Sequence, residues 1–369
     1  LGRGFGFAKA VDTQEEFFLP GRYLKGAMPG DTVALHVSKH HRAGGSREGK
    51  VLAIVKEKKE FTGLLREEYG RVVLIPDDCP QMPILLKKSG MGEACCGEKV
   101  AVELVERGED YDGHRAVVSV RFGCAESAAH CARAVLYREG IELGFSQQAK
   151  EEAKALRTRK ITEKEMQGRL DLRDTVIFTI DGADTKDIDD AVSAHRTPYG
   201  YQLGVHIADV SHYVHAHSAL DEEAFKRGTS VYYADSVIPM LPKELSNGIC
   251  SLNEGEDRLA FSCLMELDHA GRVTNAVLKK TVIRSRVKGV YEEINQWLNG
   301  TASEMQKEKY RVVQNELEVL YEIYQKLAAL HTARGAMDFE SEEAKLTLDE
   351  NGICIGVKKR VRGTAERMI

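Results

Sequence analysis

The 369-residue chain has no long apolar run. Its longest runs, such as "VLAIV" at residues 51–55, have the length of a β-strand. They fall far short of the roughly 20 apolar residues that a transmembrane helix needs. The first ten residues, "LGRGFGFAKA", are rich in glycine and lack the apolar core of a signal peptide. We therefore expect no membrane association and a cytoplasmic location.

Metal-binding cysteine pairs and an excess of positive charge are also missing. None of the eight cysteines forms a CxxC pair, which argues against a zinc site. Several cysteines lie among apolar residues, as is typical of buried, reduced thiols. The net charge of −5 argues mildly against a nucleic-acid partner, so any RNA binding must depend on local patches and motifs.

Short strands separated by turn signals fill the first third of the chain. Residues 1–57 contain four such segments, "GFGFAKA", "EEFFLP", "DTVALHV" and "GKVLAIV". Residues 58–123 repeat this rhythm with different letters, in "FTGLL", "GRVVLIPDD", "KVAVELV" and "HRAVVSVRF". Strands at this spacing predict two small β-barrels.

The first of these segments carries closely spaced aromatic residues. Side chains alternate along a strand, so Phe5 and Phe7 share one face, and Phe17 or Phe18 could lie beside them. Aromatic rings on an open barrel face stack against single-stranded bases. Phe5 and Phe7 are therefore candidate RNA contacts. The alternative is that these rings are simply core, and we expect core packing for Phe7 and for one of the neighbouring pair.

The pattern changes after residue 123. Residues 124–170 read as helices, and strands return at 174–180, 201–210 and 258–268. Apolar residues at steps of three and four predict a long helix over about 303–333, with Gly335 as its C-terminal cap. Asn351-Gly352 predicts a hairpin turn. The chain stops at "TAERMI", which resembles the start of a helix, so we expect it to be a portion of a longer protein.

Five aspartates crowd into "TIDGADTKDIDDAVSA" at residues 179–194: Asp181, Asp184, Asp187, Asp189 and Asp190. Asp181 directly follows an apolar strand. If the later stretch is extended, Asp187 and Asp189 share a side; if it opens a helix, Asp187 and Asp190 share a face. In both cases three carboxylates can converge. Oxygen ligands favour a hard cation, Mg²⁺ or Mn²⁺, whose charge would remove the repulsion.

Other acidic motifs fit this stretch less well. A calcium loop that starts at Asp181 would need ligands at its third and fifth positions and glycine at its sixth, but Ala183, Thr185 and Lys186 stand there. A phosphatase-type DxDx[TV] motif that starts at Asp187 would lack its Thr or Val. An exposed acidic loop is a poorer explanation because apolar residues flank the cluster on both sides.

The same stretch resembles the signature of the catalytic (RNB) domain in the RNase II/RNase R family of 3′→5′ exoribonucleases. Further matching segments follow in the family's order: "GVHIADVSHYV" (204–214), "LDEEAFKRGTSVYY" (220–233), "VIPMLPKELSNGICSLNEGEDR" (237–258), "GAMDFESEEAK" (335–345) and "RGTAERMI" (362–369). The resemblance covers nearly the whole chain and is strongest to the bacterial RNase R branch of the family.

The resemblance implies a multidomain fold. Two small all-β OB barrels of the cold-shock type would occupy residues 1–57, with its N-terminus incomplete, and residues 58–123. A helical linker would follow at residues 124–170. An α+β RNB catalytic domain, incomplete at its C-terminus, would occupy residues 171–369.

The resemblance also implies an activity, which is Mg²⁺-dependent, processive hydrolysis of single-stranded RNA from its 3′ end with release of 5′-nucleoside monophosphates. Mn²⁺ is the alternative metal. The family's four essential carboxylates correspond to Asp181, Asp187, Asp189 and Asp190. We expect all four at the metal site, with Asp189 the most sensitive because it would orient the water or complete the metal shell. Asp184 falls where the family varies and is set aside.

Two aromatic residues match the pair that clamps terminal bases in this family, Tyr232 and Phe339. Core packing is the alternative for each ring, and neighbouring Tyr233 is the alternative to Tyr232. Asp209, near the end of a predicted strand, is expected to form structural hydrogen bonds rather than to take part in catalysis.

Two features depart from the family. Residues 285–295 are two residues longer than usual. The family also continues beyond "TAERMI" with an arginine that stabilises the transition state and with a C-terminal OB domain, so the chain as it stands is expected to be inactive or impaired. The alternative functions are a non-catalytic RNA-binding fragment and a metal-dependent phosphatase with accessory barrels. Single-stranded RNA is the expected partner, and a monomer is the expected state.

Overall fold

The computed structural model describes residues 4–41, 46–87, 89–109, 111–233, 236–337 and 343–369. The chain divides into two compact units. Unit 1 contains residues 1–142 and 345–358, and unit 2 contains residues 143–344 and 359–369. Each unit has its own hydrophobic core.

Unit 1 begins with a four-stranded sheet. Its strands are β1 (Phe5–Lys9), β2 (Glu16–Pro20), β3 (Thr32–His41) and β4 (Arg47–Lys56), and they lie in the order β1-β2-β4-β3. The four strands are those predicted from the sequence, and Leu19, Ala27 and Val51 form their buried core. Closure of this sheet into a first barrel remains a prediction.

A closed barrel follows in the order β5-β6-β7-β9-β8. Its strands are β5 (Glu60–Glu68), β6 (Arg71–Pro76), β7 (Ile84–Leu86), β8 (Glu98–Glu106) and β9 (Arg115–Cys124). A closed five-stranded barrel is therefore present where the second barrel is predicted, and its assignment to the cold-shock OB type remains a prediction. Strand β7 is not predicted from the sequence, because three residues are too few to show an alternating pattern. Helix α1 (Ala128–Arg138) packs on the barrel, where the Tyr137 and Phe122 rings lie 5.4 Å apart.

A buried ion pair joins the first sheet of unit 1 to the barrel. The Arg107 guanidinium donates to both carboxylate oxygens of Asp31, at 2.7 and 2.9 Å. The backbone N–H groups of Met28 and Lys58 donate to the same carboxylate. The Asp31 side chain is only 1% exposed, and these four hydrogen bonds offset the cost of burying its charge.

Unit 2 is built on an α+β plan. Its helices are α2 (Gln147–Leu156), α3 (Glu163–Met166), α4 (Ala219–Arg227), α5 (Tyr291–Leu298), α6 (Glu304–Tyr310), α7 (Gln314–Ala333) and α8 (Ala365–Met368). Its strands are β10 (Leu170–Asp171), β11 (Ile177–Asp181), β12 (Asp190–Thr197), β13 (Gly200–Ala208), β14 (Val231–Tyr233), β15 (Ser236–Ile238), β16 (Asp257–Asp268) and β17 (Val273–Val290). A last hairpin, β18 (Glu343–Leu348) and β19 (Cys354–Arg360), lies mostly in unit 1, which contains residues 345–358.

The main sheet of unit 2 has the order β10-β17-β11-β12-β13-β16, and β16 also pairs with β17. Apolar clusters cover both faces. Neighbouring residues of β11 point in opposite directions, so Ile177 joins a cluster with α2 and α4, whereas Phe178 joins one with α5 and α7. Burial on both faces explains the uninterrupted apolar run that precedes the aspartate cluster.

Several local predictions hold and two are refined. Gly335 follows α7 with φ +79°, and Gly352 turns the β18–β19 hairpin with φ +75°, as expected for these left-handed positions. The predicted helix over 303–333 is interrupted by a 3₁₀ turn at Arg311–Val313, where Val313 is fully buried. The helical stretch at 124–170 is divided between α1 of unit 1 and α2 and α3 of unit 2.

The cysteine and hydropathy patterns have simple structural counterparts. All eight cysteines are free thiols, and Cys79 and Cys250 are buried as small apolar residues. None of the helices in the described ranges is both long enough and apolar enough to cross a bilayer.

A chain of polar side chains runs through the interior of the main sheet of unit 2. The ring of fully buried His206 lies 3.1 Å from the Ser193 hydroxyl and 2.7 Å from the Ser262 hydroxyl. Ser262 in turn lies 2.7 Å from the Thr281 hydroxyl. Burial lowers the pKa of His206 to about 4, so the imidazole is neutral in the folded protein.

This neutral histidine predicts an acid-sensitive component of stability. The unfolded chain takes up a proton near pH 6.5 and the folded chain does not, so the contribution is present above that pH and is lost as the pH falls towards 4. Between about pH 7.5 and 5, wild type should lose about 2 kcal/mol more unfolding free energy than His206→Gln. The only tryptophan, Trp297, lies in unit 2, so its fluorescence in urea measures this unit. Equal losses in both proteins would contradict the assignment.

Candidate active site

Strand β11 places Asp181 at its carboxyl end, where the chain leaves the main sheet. Residues Ile177 to Ile180 are buried, and the strand ends at Asp181, which is half-buried. The chain then turns, and the Thr185 N–H donates to the Gly182 carbonyl at 3.1 Å. The predicted position of Asp181 at the end of an apolar strand is confirmed.

The segment between Asp181 and Asp190 is an irregular loop, neither the strand nor the helix that the sequence left open. Ile188 anchors it, because this side chain is only 2% exposed. The Ile188 N–H donates to the Ser251 hydroxyl at 3.2 Å, and the Leu252 N–H donates to the Ile188 carbonyl at 2.8 Å. Asp190 then opens β12, where it pairs with Ile207 of β13.

The predicted aspartates differ in their exposure. Asp181, Asp187 and Asp190 are half-buried, whereas Asp189 and Asp184 are exposed. Asp189 is therefore the member of the predicted set that a large polyanionic ligand can reach most directly.

The electrostatics of the loop favour a positive ligand. Burial raises the pKa of Asp181 to about 7, and the carboxylates of Asp190, Asp189 and Asp187 raise it as well. Burial and the Asp189 carboxylate likewise raise the pKa of Asp190. One carboxylate oxygen of Asp181 (Oδ2) is buried and has no hydrogen-bond partner. Buried polar groups without a partner are rare, and oxygen ligands suit a hard cation.

A closed metal cage is not preformed. In the part of the chain that the structure describes, no three His, Cys, Asp or Glu side chains are already grouped closely enough to hold a metal ion. The donor set and the unpartnered Asp181 oxygen fit a hard cation, and the fit to Mg²⁺ or Mn²⁺ remains a prediction.

Lys288 of β17 holds this loop from the other side. Its ammonium donates to the Ala183 carbonyl at 3.1 Å and to the Thr185 carbonyl at 2.6 Å. Its positive charge also lowers the pKa of Asp181, against the larger effect of burial. The aspartate loop is thus fixed by side chains that lie far away in the sequence, Ser251 and Lys288.

Tyr232 reaches the loop from β14. Its ring is 68% exposed, and its hydroxyl donates to Asp187 Oδ2 at 3.1 Å. Burial of the hydroxyl and the nearby Asp187 carboxylate raise the pKa of this phenol to about 12, so it remains a donor at neutral pH. Core packing of this ring is thereby excluded. Phe339, the second predicted clamp residue, lies outside the described residues.

Asp209 has the structural role that the sequence suggested. Its carboxylate accepts from the Arg169 guanidinium at 2.7 Å and from the Ser211 hydroxyl at 2.9 Å. Only 2% of its side chain is exposed, and the paired Arg169 side chain is 5% exposed. Such a buried, fully paired carboxylate is not available to a substrate.

Unit 1 presents a separate group of aromatic rings. Phe5, Phe7 and Phe18 lie with their centroids 5.7 to 5.9 Å apart, and Phe5 and Phe7 are 47% and 57% exposed. The expectation that Phe7 belongs to the core is wrong, because its face of β1 is open. Phe17 is the buried member of its pair, since adjacent strand residues point to opposite faces.

Sequence reasoning missed Lys288, Ser251 and the hydroxyl contact of Tyr232. Lys288 is 107 residues from Asp181 along the chain, within residues 285–295, where the sequence departs from the family's usual length. In the sequence it is the last of three basic residues at every second position, Arg284, Arg286 and Lys288, and this pattern does not single it out. Only the pairing of β17 with β11 reveals its relation to the aspartates.

Comparison with known proteins supports the family suggested by the motifs. The RNB domain model matches residues 169–369, and the ribonuclease B OB domain model matches residues 2–54. Ribonuclease R 1 of Lactococcus lactis is 37% identical over an alignment that covers 99% of this chain and 46% of that protein. Ribonuclease R of Thermotoga maritima is 39% identical, with 97% of this chain and 51% of that protein covered.

A solved structure also supports the assignment to this family. Mycoplasma genitalium RNase R, in complex with ribose-methylated single-stranded RNA, matches with a TM-score of 0.83 at 25% identity. The match covers 99% of this chain and 57% of that one. The chain spans about half the length of the curated relatives it matches. Because the RNB model covers more than half of these residues and the fold agrees over nearly all of them, the chain belongs to the RNB family of ribonucleases.

Proposed function

We propose that this protein is a Mg²⁺-dependent 3′→5′ exoribonuclease that shortens single-stranded RNA processively and releases 5′-nucleoside monophosphates. The observation that carries the proposal is the Asp181 carboxylate, half-buried with an unpartnered oxygen in the field of Asp187, Asp189 and Asp190. A perturbed acid at a strand end is a typical functional site.

Asp181, Asp187 and Asp190, with Asp189, would hold the cation. A bound Mg²⁺ would supply positive charge to the phosphate oxygens and would activate the attacking water. The carboxylates are not yet grouped as a cage, so we propose that they converge when the cation binds. Lys288 and Ser251 hold the backbone of the loop while the side chains move.

Asp189 would act on the substrate side of the site. It is exposed, and it directly follows the buried anchor Ile188, so its backbone is fixed while its carboxylate stays accessible. A carboxylate in this position can accept a proton from, or orient, the water that attacks the terminal phosphodiester.

Tyr232 would bind a base beside the carboxylates. Its exposed ring offers a stacking surface, and stacking tolerates every base. Its hydroxyl holds Asp187, so one side chain would link base binding to the metal site.

The exposed rings of unit 1 support RNA binding independently. Phe5, Phe7 and Phe18 form a compact aromatic surface on a sheet, which suits two or more unpaired bases. The relative from Mycoplasma genitalium is described in complex with single-stranded RNA, and we extend that partner to this chain.

The second candidate function is RNA binding without cleavage. The observation in its favour is the lack of a preformed metal cluster among the described residues. The two functions differ in whether the protein hydrolyses RNA, for which the aspartates would be needed, or only binds it.

The decisive test uses 5′-labelled single-stranded RNA with Mg²⁺ and the protein at the full length in which it is encoded. We expect products that shorten from the 3′ end, mononucleotide release, and a loss of at least about 100-fold in rate for Asp189→Asn with RNA binding retained. Asp184→Asn, at an exposed aspartate of the same loop, is the control and should keep wild-type activity. Internal cuts would contradict the exonuclease, and RNA binding without any turnover would favour the second candidate.

Without metal, the charged carboxylates of the aspartate loop should lower the free energy of unfolding of unit 2. The folded chain holds a proton on Asp181 up to about pH 7, whereas the unfolded chain releases it near 3.8, so stability falls as the pH rises through this range. This pKa difference corresponds to about 4 kcal/mol at most, and solvent screening of the half-buried carboxyl reduces that value. Without metal, at about pH 8, Asp181→Asn should therefore stabilise unit 2 by roughly 2 kcal/mol. Mg²⁺ should stabilise wild type but not the variant, as measured by Trp297 fluorescence in urea. A destabilised Asp181→Asn protein would contradict this, with Asp184→Asn as the neutral reference.

Two substitutions separate the contribution of the Tyr232 ring from that of its hydroxyl. Tyr232→Ala should weaken single-stranded RNA binding by about 10-fold, the value of one lost stacking contact, and should change the length of the final oligonucleotide. Tyr232→Phe keeps the ring and should keep RNA affinity, while it loses the bond to Asp187 and raises the Mg²⁺ concentration needed for activity. Tyr199→Ala removes another exposed tyrosine of unit 2 and is the control. Unchanged end products in Tyr232→Ala would remove this ring from the binding site.

A further inference from the structure

Lys288 lies next to the loop that carries the aspartates, and its ammonium bonds the backbone of that loop. It lies on β17, opposite Thr179 of β11, two residues before Asp181. Its ammonium donates to the carbonyls of Ala183 and Thr185, at 3.1 and 2.6 Å. Both carbonyls belong to the loop that separates Asp181 from Asp187.

The ammonium is bonded to backbone rather than to acid side chains. Among the described residues, Lys288 forms no ion pair within 4.0 Å with any aspartate of the loop, although its charge acts on Asp181. A direct ion pair would neutralise a carboxylate and occupy one of its oxygens. Bonding to carbonyls instead fixes the loop and leaves the carboxylate oxygens free.

The backbone beneath Lys288 is itself held firmly. The Lys288 N–H donates to Glu254 Oε2 at 2.9 Å. At the next residue, Gly289, a Cβ atom would lie 2.4 Å from the Thr179 carbonyl oxygen, so only glycine permits this approach of β17 to β11. The ammonium therefore reaches the loop from a rigid base.

We propose that Lys288 is a positioning residue for the carboxylates: its ammonium holds the 182–186 loop by two carbonyls, so that Asp181 and Asp187 can share one divalent cation. The proposal rests on the proposed function, because it takes this loop to be the Mg²⁺ site. It assigns to Lys288 a role in metal affinity that acts through the backbone.

Two effects of Lys288 on Mg²⁺ binding have opposite signs, which makes the proposal testable. As a nearby positive charge, Lys288 repels a cation, so its removal would tighten Mg²⁺ binding. As a positioning residue, it prepares the loop, so its removal would weaken binding. Outer contacts of this kind typically change metal affinity by about 10- to 100-fold.

The experiment measures Mg²⁺ binding to the whole chain by calorimetry. Lys288→Met should weaken binding by about 10-fold or more, and Lys288→Arg, which keeps a donor cation, should recover most of the loss. Lys279→Met, at an exposed lysine of the same strand, is the matched control and should bind as wild type does. Unchanged or tighter binding by Lys288→Met would overturn the proposal.

A metal-free measurement separates this proposal from the proposed function. Hydrogen–deuterium exchange of the 182–188 peptide should be faster in Lys288→Met than in wild type and Lys279→Met, because the Thr185 N–H bond to Gly182 loses its support. Equal exchange would overturn the positioning role. A wild-type chain that binds no Mg²⁺ would instead contradict the metal site, while the exchange comparison would still decide the role of Lys288. If Lys288→Met does not fold, Lys288→Gln, which keeps one uncharged donor, replaces it in both measurements.

Discussion

The parallel pairing of β11 with β17 is the constraint on which the candidate site depends. It brings Lys288 level with Thr179 and ends β11 at Asp181, opposite Val290. The two strands approach closely only because Gly289 has no side chain. A larger residue there would separate the strands, and the loop would lose its support although no aspartate had changed. The geometry of the acids is therefore set by residues that carry no acid group and lie about a hundred positions away.

Three buried or half-buried aspartates, Asp31, Asp209 and Asp181, differ in whether their carboxylates have hydrogen-bond and ion-pair partners. Asp31 and Asp209 are each paired with an arginine and receive further hydrogen bonds, so their charge is fully compensated inside the fold. Asp181 has an equally enclosed oxygen and no such partner. An acid left unpaired in a fold that builds two complete arginine pairs supports the proposal that Asp181 binds an external ligand. The stability that is lost at this position is typical of a functional site.

The sequence predicts those parts of the fold and site that depend on local patterns. Alternation locates β1 to β4, the apolar run locates β11 and Asp181, and the family motif locates Tyr232. The conformation of the loop after Gly182 could not be predicted, because Ser251 and Lys288 decide it from distant positions. The break before α7 coincides with the burial of Val313, a tertiary contact that an apolar repeat does not show. Alternation places Phe5 and Phe7 on one face but does not reveal that this face is open. Alternation also places Phe17 and Phe18 on opposite faces, but it does not reveal that Phe17 is the buried one.

The hairpin of β18 and β19 has a consequence for how the protein is made. The Ala128 N–H of unit 1 donates to the Gly352 carbonyl at 3.1 Å, and residues 345–358 belong to unit 1 although all of unit 2 up to residue 344 precedes them. At synthesis rates of about 5–20 residues per second, the hairpin leaves the ribosome on the order of 10–40 seconds after α1. During that interval the Ala128 N–H at the start of α1 lacks its final hydrogen-bond acceptor, the Gly352 carbonyl. Folding of unit 1 therefore begins before unit 2 is made and ends only after residues 143–344 of unit 2 have been synthesised.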